Sequence, residues 1–472
     1  MKIFTCKNVV ALVFLITSIV SYIGVVYKVS YDDNQLSKKN MSQFHTLDPS
    51  TLDYRAIKIL SDKGCSYCHT PNSEMPFYSQ FPIAKQIMEH DVKNAIRHFD
   101  MTEFWHDIKN NQSISEVALA RIEKVINDDS MPPSIYLTMH WSSNISEKEK
   151  DILLRWINEK RTDKYIKSPV PDDRKNSVLQ PIYTNFEIDK KKASLGKFLF
   201  NDTRLSLDNS ISCASCHNLT TGGVDQRLSS IGIHGQVGNI NAPTVFNAVY
   251  NKKQFWDGRA DSLQDQAGGP PFNPVEMGSE SWDQIINKLR QDPVLVKMFD
   301  DVYSGDINGN NITNAIAEFE KTLTTPNSRF DQYLMGNDHV LTPNEKYGLE
   351  LFNKYNCQTC HAGESLGGGS FETMGLKENY FLDRGKDITD VDLGRYNVTG
   401  KEEDKYKFKV PTLRNIENTH PYFHDGNATT LEKAIYDMGK YQVGIELSNK
   451  EVMAISSFLK TLTGHYEETD LN

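Results

Sequence analysis

Three short stretches of this chain carry the same arrangement of reactive side chains. Cys65–Cys68–His69 (CSYCH), Cys213–Cys216–His217 (CASCH) and Cys357–Cys360–His361 (CQTCH) each place two thiols three residues apart, with an imidazole directly after the second. This spacing is the attachment signature of c-type haem: the thiols become thioethers and the histidine is placed to ligate the iron. Zinc would need four ligands and no further cysteine pair stands nearby, while a redox dithiol has no use for the histidine three times over. Of seven cysteines, six lie in these units and Cys6 lies at an apolar N-terminal run, so none remains for structural disulfides. Three covalent haems are therefore expected, with His69, His217 and His361 as proximal ligands.

The far side of each iron decides between carrying electrons and doing chemistry. Met438 follows His361 by 77 residues and is the candidate sixth ligand of the third haem, where a methionine would raise the potential. No methionine stands at the matching place of the second haem. His234 follows His217 by 17 residues, in a loop whose glycines could let it fold over the haem face. Gln266 and Glu276 lie in a Gly/Pro-rich loop, QDQAGGPPFNPVEMG. Peroxide cleavage needs one group to take a proton from one oxygen and return it to the other, and Glu276 could do both. For the first haem, Met131 in NDDSMPPS is the best candidate, with Met139, His140 and Met75 as rivals.

The elements that must hold these residues are legible as repeats. NAPTVFNAVYNKKQFWDGRA (241–260) matches KVPTLRNIENTHPYFHDGNA (409–428) at a constant offset of 168. AIAEFEKTL (315–323) matches AISSFLKTL (454–462), and GKFLF (196–200) before the second haem echoes GLELF (348–352) before the third. Each half therefore has a helix leading into the CxxCH, a long loop region and a closing amphipathic helix, as in a small cytochrome c domain. At one matched position the halves differ: Trp256 against His424. Alternating strand patterns are scarce, so the expected fold is mainly α, with three cytochrome c-like haem domains.

A length of 472 residues suits about three domains, and a net charge of −10 speaks against a nucleic-acid partner. Residues 8–27 hold no charge and are long enough to cross a hydrocarbon core of ~30 Å. The run exceeds the apolar core of a usual, removable signal peptide, which favours an uncleaved, single-pass anchor in the inner (cytoplasmic) membrane, and Lys2 and Lys7 before it set the orientation. The first residues (1–7) would then lie in the cytoplasm and the rest in the periplasm. The expected order is a polar linker at 28–52, a monohaem domain at 53–165, closed by the helical run SEKEKDILLRWINEKR, and a proline-bearing linker at 166–184. Two haem domains follow at 185–330 and 331–472.

From about residue 185 to 465 the chain resembles the bacterial dihaem cytochrome c peroxidases. The resemblance is carried by CASCHN with GGVD after it, PTVFNAVYN, QFWDGRA, VEM, RFDQYL, LTPNEKYGLELF, CxxCH, LRNI, PYFHDG, the DMG methionine and SFLKTL. It implies that His217 and His234 ligate a low-potential peroxidatic haem, and that His361 and Met438 ligate a high-potential electron-transfer haem. It further implies that Gln266 and Glu276 are the distal catalytic pair, that Trp256 lies between the two haems, and that His424 sits near the peroxidatic pocket. In that family His234 would leave the iron when the other haem is reduced. A calcium ion between the domains would be held by the Asn241 side chain and the carbonyls of Thr419 and Pro421, and a homodimer is compatible with the family. Relatives that modify partner proteins have a tyrosine where Met438 stands, which favours the peroxidase branch. With its anchor and extra haem module, the whole arrangement resembles the membrane-bound trihaem peroxidases, including the quinol peroxidases. The expected activity is reduction of hydrogen peroxide to water, with electrons from quinol through the first haem. A soluble cytochrome or cupredoxin donor is the alternative, and a multihaem protein that only transfers electrons is the rival of a different class.

Overall fold

A computed structural model describes residues 6–184 and 186–467. The chain is mainly helical and divides into two compact units, Met1–Lys164 and Tyr165–Asn472.

The first unit begins with a helix over Cys6–Ser42, the one helix long and apolar enough to cross a membrane among the described residues. Its side chains from Val9 to Val25 are exposed. Beyond them Val26, Val29, Asp33 and Ser37 are buried, at the three- and four-residue spacing of one helix face. The segment 28–52, expected as a linker, thus continues the helix to Ser42 and docks it on its own domain. No glycine or proline interrupts this run, and its polar residues are tolerated because they face outward, or pair inward as Ser37 does with Asp62 at 2.5 Å. The body of the unit is a core of Leu52–Asp62, Glu116–Asn127 and Glu147–Lys164, where Ile57, Leu119, Leu153 and Trp156 are fully buried. Thr51 and Ser115 cap the first two of these helices by accepting from Tyr54 N and Ala118 N.

The second unit repeats one plan twice. In the first repeat the leading helix Lys190–Phe200 crosses the closing helix Gly309–Thr322. In the second, Pro343–Lys354 crosses Asn449–Lys460. Both crossings are made at a glycine. A Cβ on Gly196 would fall 1.9 Å from the carbonyl oxygen of Ala315, and one on Gly348 would fall 2.0 Å from that of Ala454. No other residue permits that approach of two backbones.

The loops repeat as closely. Thr244 Oγ1 donates to Gly222 O and Thr412 Oγ1 to Ser365 O, both at 2.7 Å. Asn247 (φ 61°) and Asn415 (φ 57°) share the left-handed conformation. Their side-chain amides donate to the same hydroxyl, Thr325 Oγ1, at 2.8 and 3.0 Å. One two-stranded antiparallel sheet, Phe371–Thr373 with Lys407–Lys409, lies within the second repeat.

The 166–184 segment, also expected as a linker, belongs to this unit. Val170, Leu179, Gln180 and Ile182 are buried, Gly363 N donates to Val178 O at 2.9 Å, and Arg414 Nη2 donates to Gln180 O at 2.7 Å. Its prolines suit a strap that pairs at its edges, not only a free tether. Phe330, assigned from sequence to the end of the first repeat, packs in the core of the second.

Candidate functional site: three cysteine–histidine centres and the turn that carries Glu276

Each CxxCH is wound into a short helical turn, and the six cysteines of the three units form no disulfide. Burial pushes the leading thiols Cys65, Cys213 and Cys357 up to about 12, which keeps them neutral. The three histidines are held alike. His69 Nδ1 lies 2.7 Å from Phe99 O, His217 Nδ1 3.4 Å from Gly223 O, and His361 Nδ1 3.0 Å from Leu366 O. A carbonyl can only accept, so the proton is on Nδ1 and Nε2 keeps its lone pair. Burial lowers the pKa of all three and favours the neutral ring. Two thiols and an Nε2 left with its lone pair, the ring oriented by a main-chain carbonyl, are the donor set that haem c requires, and the residues present fit that group.

Met438 ends the helix Leu431–Met438 and packs, half-buried, against the aromatic cluster of Trp256, Tyr380, Phe381, Phe408 and Tyr441. Met131 is 38% exposed, on a loop. Among its rivals His140 has no free lone pair: Nδ1 lies 2.7 Å from Asp33 Oδ2 and Nε2 3.0 Å from the Tyr78 hydroxyl.

Around the second CxxCH the structure brings three predicted elements together. Burial raises the pKa of the Cys216 thiol; Ser230 opposes the rise and the charge of Glu276 adds to it. Ser230 starts the loop that carries His234. That loop is strapped to the Glu276 turn, with Ile233 N donating to Glu276 O at 2.9 Å and Gln236 Nε2 to Pro274 O at 3.0 Å. Contact is so close at Gly232 that a Cβ there would fall 1.9 Å from Val275 O. Glu276 itself accepts from Asn273 Nδ2 at 2.7 Å. Burial raises its pKa, while Arg259 and the Asn273 bond oppose the rise. His234 has a left-handed backbone (φ 56°), and its side chain is 63% exposed, with Nδ1 3.5 Å from Asp208 Oδ2. Gln266 is half-buried on the short helix Leu263–Ala267 and makes no side-chain hydrogen bond to Glu276.

Trp256 and His424, the matched but unlike pair, meet where the repeats join. Their rings are edge-on at 6.4 Å between centroids. Trp256 Nε1 donates to Asn241 O and Asn241 N donates to His424 O, both at 2.8 Å. Asn241 Nδ2 donates to Arg227 O at 2.8 Å.

Sequence reasoning missed what stands behind His424. The ring stacks on Phe408 at 4.1 Å, and Nε2 lies 2.8 Å from Asp392 Oδ1. Arg384 spans Asp392 and Asp425 at 2.7 and 2.9 Å. Burial works against the Asp392 carboxylate, but the His424 and Arg384 bonds hold it well below the usual range. Asp392, His424 and Asp425 offer donor atoms within 4.8 Å of one another, and Arg384 already supplies the cation between them. The repeated aspartate–glycine pair marks this corner in sequence, while Asp392 and Arg384 have no counterpart in the first repeat.

Comparison with known proteins agrees with this layout. Residues 190–339 match the family described as di-haem cytochrome c peroxidase, and residues 21–159 match a haem-binding domain. The chain is 45% identical over 447 residues to cytochrome c peroxidase Ccp of Escherichia coli (strain K12), covering 95% of each. It is 46% identical over 292 residues to the cytochrome c551 peroxidase of Nitrosomonas europaea, covering 61% of this chain and 85% of that one. Among solved structures, a MauG-like protein associated with microbial copper homeostasis superposes with a TM-score of 0.55 at 28% identity, over 61% of this chain and 94% of that one. Since the likeness to the Escherichia coli protein runs through both units, the chain belongs to the di-haem cytochrome c peroxidase family and carries an added N-terminal haem-binding domain.

Proposed function

We propose that the protein is a membrane-anchored, three-haem peroxidase that reduces hydrogen peroxide to two waters with electrons drawn from quinol. Haem c at the three CxxCH sites, bound through Cys65/Cys68, Cys213/Cys216 and Cys357/Cys360, supplies redox-active iron. His69 and Met131, His217 and His234, and His361 and Met438 are the side chains that would ligate the three irons.

The observation that carries the reading is Glu276, a half-buried carboxylate of raised pKa beside Cys216. With peroxide bound in this pocket, Glu276 takes a proton from one oxygen and returns it to the other, which leaves as water. Asn273 holds one carboxylate oxygen and so leaves the other to face the substrate. Gln266, on the adjoining helix, orients the peroxide. His234, exposed and on a tethered loop, is free of the pocket in this conformation and caps it when its side chain turns inward. Trp256 lies on the route between the two repeats, fixed by its bond to Asn241 O. The Asn241 side chain with the carbonyls of Thr419 and Pro421 would hold a calcium ion.

Support for quinol as donor comes from the first unit, where the apolar helix runs without a break into the haem-binding domain. The catalytic part then lies in the periplasm, on the inner membrane. Glu276→Gln tests the central claim. It should lower peroxide turnover by a factor of about 100 or more, with the haem spectra intact. An unchanged rate would return the protein to the class of plain electron carriers. Turnover with quinol analogues against reduced cytochrome c separates the two donors.

A further inference from the structure

Oxidising a hydroquinone releases two protons as well as two electrons, and the protons need a base. Beside the first CxxCH the structure holds a buried polar chain that peroxide chemistry leaves unused. His140 is 4% exposed, between Asp33 Oδ2 at 2.7 Å and the Tyr78 hydroxyl at 3.0 Å. Tyr136 stacks on the imidazole at 3.8 Å. Asp33 is equally buried, and its Oδ1 has no hydrogen-bond partner. An unpaired buried carboxylate oxygen is costly and calls for a reason. Both Tyr78 and Tyr136 feel the Cys68 thiol electrostatically, which places the cluster at the first attachment site. Tyr67 is the other titratable group nearby, and Lys63 is turned to the carbonyls of Ser142 and Asn144.

Asp33 comes from the long apolar helix, just past its exposed stretch. Around the point where that helix meets its domain, Tyr22, Tyr27, Tyr31, Phe77, Phe81 and Trp141 are all exposed. Lys28 lies over the rings of Tyr31 and Phe77, and Tyr22 meets Trp141 edge-on at 5.9 Å. Such a collar of tyrosine and tryptophan belongs at the boundary of lipid and water. Phe77 adjoins Tyr78 and Trp141 adjoins His140, so the collar surrounds the buried cluster.

We propose that Tyr78, His140 and Asp33 form the proton-accepting side of a hydroquinone site, open to the lipid boundary through Phe77 and Trp141. The proposal rests on the quinol reading above. With Nδ1–H donating to Asp33 and Nε2 accepting from Tyr78, the relay is set to move a proton inward. A hydroquinone hydroxyl bonds the Tyr78 oxygen. As an electron leaves for the acceptor attached at Cys65 and Cys68, the hydroquinone O–H bond breaks. Its proton goes to Tyr78, and the Tyr78 proton goes to His140 Nε2. The imidazolium is held by Asp33 and then loses its Nδ1 proton through Asp33 to water, and a half-turn of the ring brings the remaining N–H to Asp33 and a lone pair back to Tyr78. A second round completes the balance: hydroquinone becomes quinone, two electrons enter the protein, and two protons reach solvent.

The test uses the full-length haem-loaded protein in detergent, with Tyr78→Phe and Asp33→Asn. Stopped-flow reduction of the haem absorbance by decylubiquinol should slow by about tenfold or more in both, while reduction by ferrous EDTA and peroxide turnover with that donor stay unchanged. Quenching of 2-heptyl-4-hydroxyquinoline N-oxide fluorescence, a binding readout, should show affinity about tenfold weaker in Tyr78→Phe, the size expected for one lost hydrogen bond. If the unaltered protein is reduced by decylubiquinol and Tyr78→Phe matches it in rate and affinity, the proposal is overturned and the quinol reading stands. If decylubiquinol does not reduce the unaltered protein, both fall. Should Asp33→Asn lose its haem absorbance, Tyr78→Phe, which keeps the ring, decides alone.

Discussion

The main-chain N–H of Ile233 donates to the main-chain carbonyl of Glu276 at 2.9 Å. The residue after Ile233 is His234, so the loop proposed to cap the site and the turn that carries the proposed acid–base group share one hydrogen bond. Movement of one is felt by the other, and four predictions beyond the loss expected for Glu276→Gln follow from this and from related contacts.

Gly232→Ala should break that strap. The new methyl would lie 1.9 Å from Val275 O, so the loop must lift from the Glu276 turn. Overpacking of this kind costs about 1–3 kcal/mol. Peroxide turnover should drop at least as far as stability does, while binding of haem at Cys213 and Cys216 is retained. Thermal unfolding and steady-state rates, measured together, check it.

Arg259→Ala should move the pH profile. Burial already raises the Glu276 pKa and Arg259 opposes this, so removing the guanidinium raises it further. The working carboxylate is lost as pH falls through that value, and the acid limb of kcat/KM should therefore shift to higher pH. The sign for stability is the reverse of the usual carboxylate case: a raised Glu276 favours folding below its unfolded value and loses that contribution as pH rises. An acid limb that stays in place or moves down would refute the assignment of that limb to Glu276.

Cys65→Ala with Cys68→Ala should remove one haem of three, read from the pyridine haemochrome. Peroxide turnover with ferrous EDTA should persist, while turnover with decylubiquinol should vanish. Retained quinol turnover would place electron uptake elsewhere.

Thr325→Val keeps the shape of the side chain but removes a hydroxyl that two buried amides use. Two donors are stranded at once, and the loss should be about 2 kcal/mol or more, seen as a lower midpoint in chemical denaturation.

Much of this was legible in the sequence because the chemistry is local. CxxCH fixes its own geometry within five residues, and the matched segments 241–260 and 409–428 announce the duplication that the glycine crossings at Gly196 and Gly348 embody. Segments 28–52 and 166–184 were misread because polarity and prolines mark exposure only on average. Asp33 and Ser37 are polar yet face inward, and Gln180 is fully buried under Arg414. The Arg384–Asp392–Asp425 group behind His424 was out of reach for another reason. Its members are up to 41 residues apart and become neighbours only through folding. The same holds for Asp33 and His140, which lie 107 residues apart.

The hydroxyl of Thr325 answers to both repeats at once, with Asn247 on one side and Asn415 on the other. A duplication usually implies parts that could be separated again. Here the seam is sewn through that oxygen and again through the bond from Asn241 N to His424 O, and the strap at 166–184 is stitched to the far repeat. Neither half is a detachable cartridge. Any attempt to make a minimal one-haem peroxidase by trimming this protein must carry both repeats along, whichever of them does the chemistry.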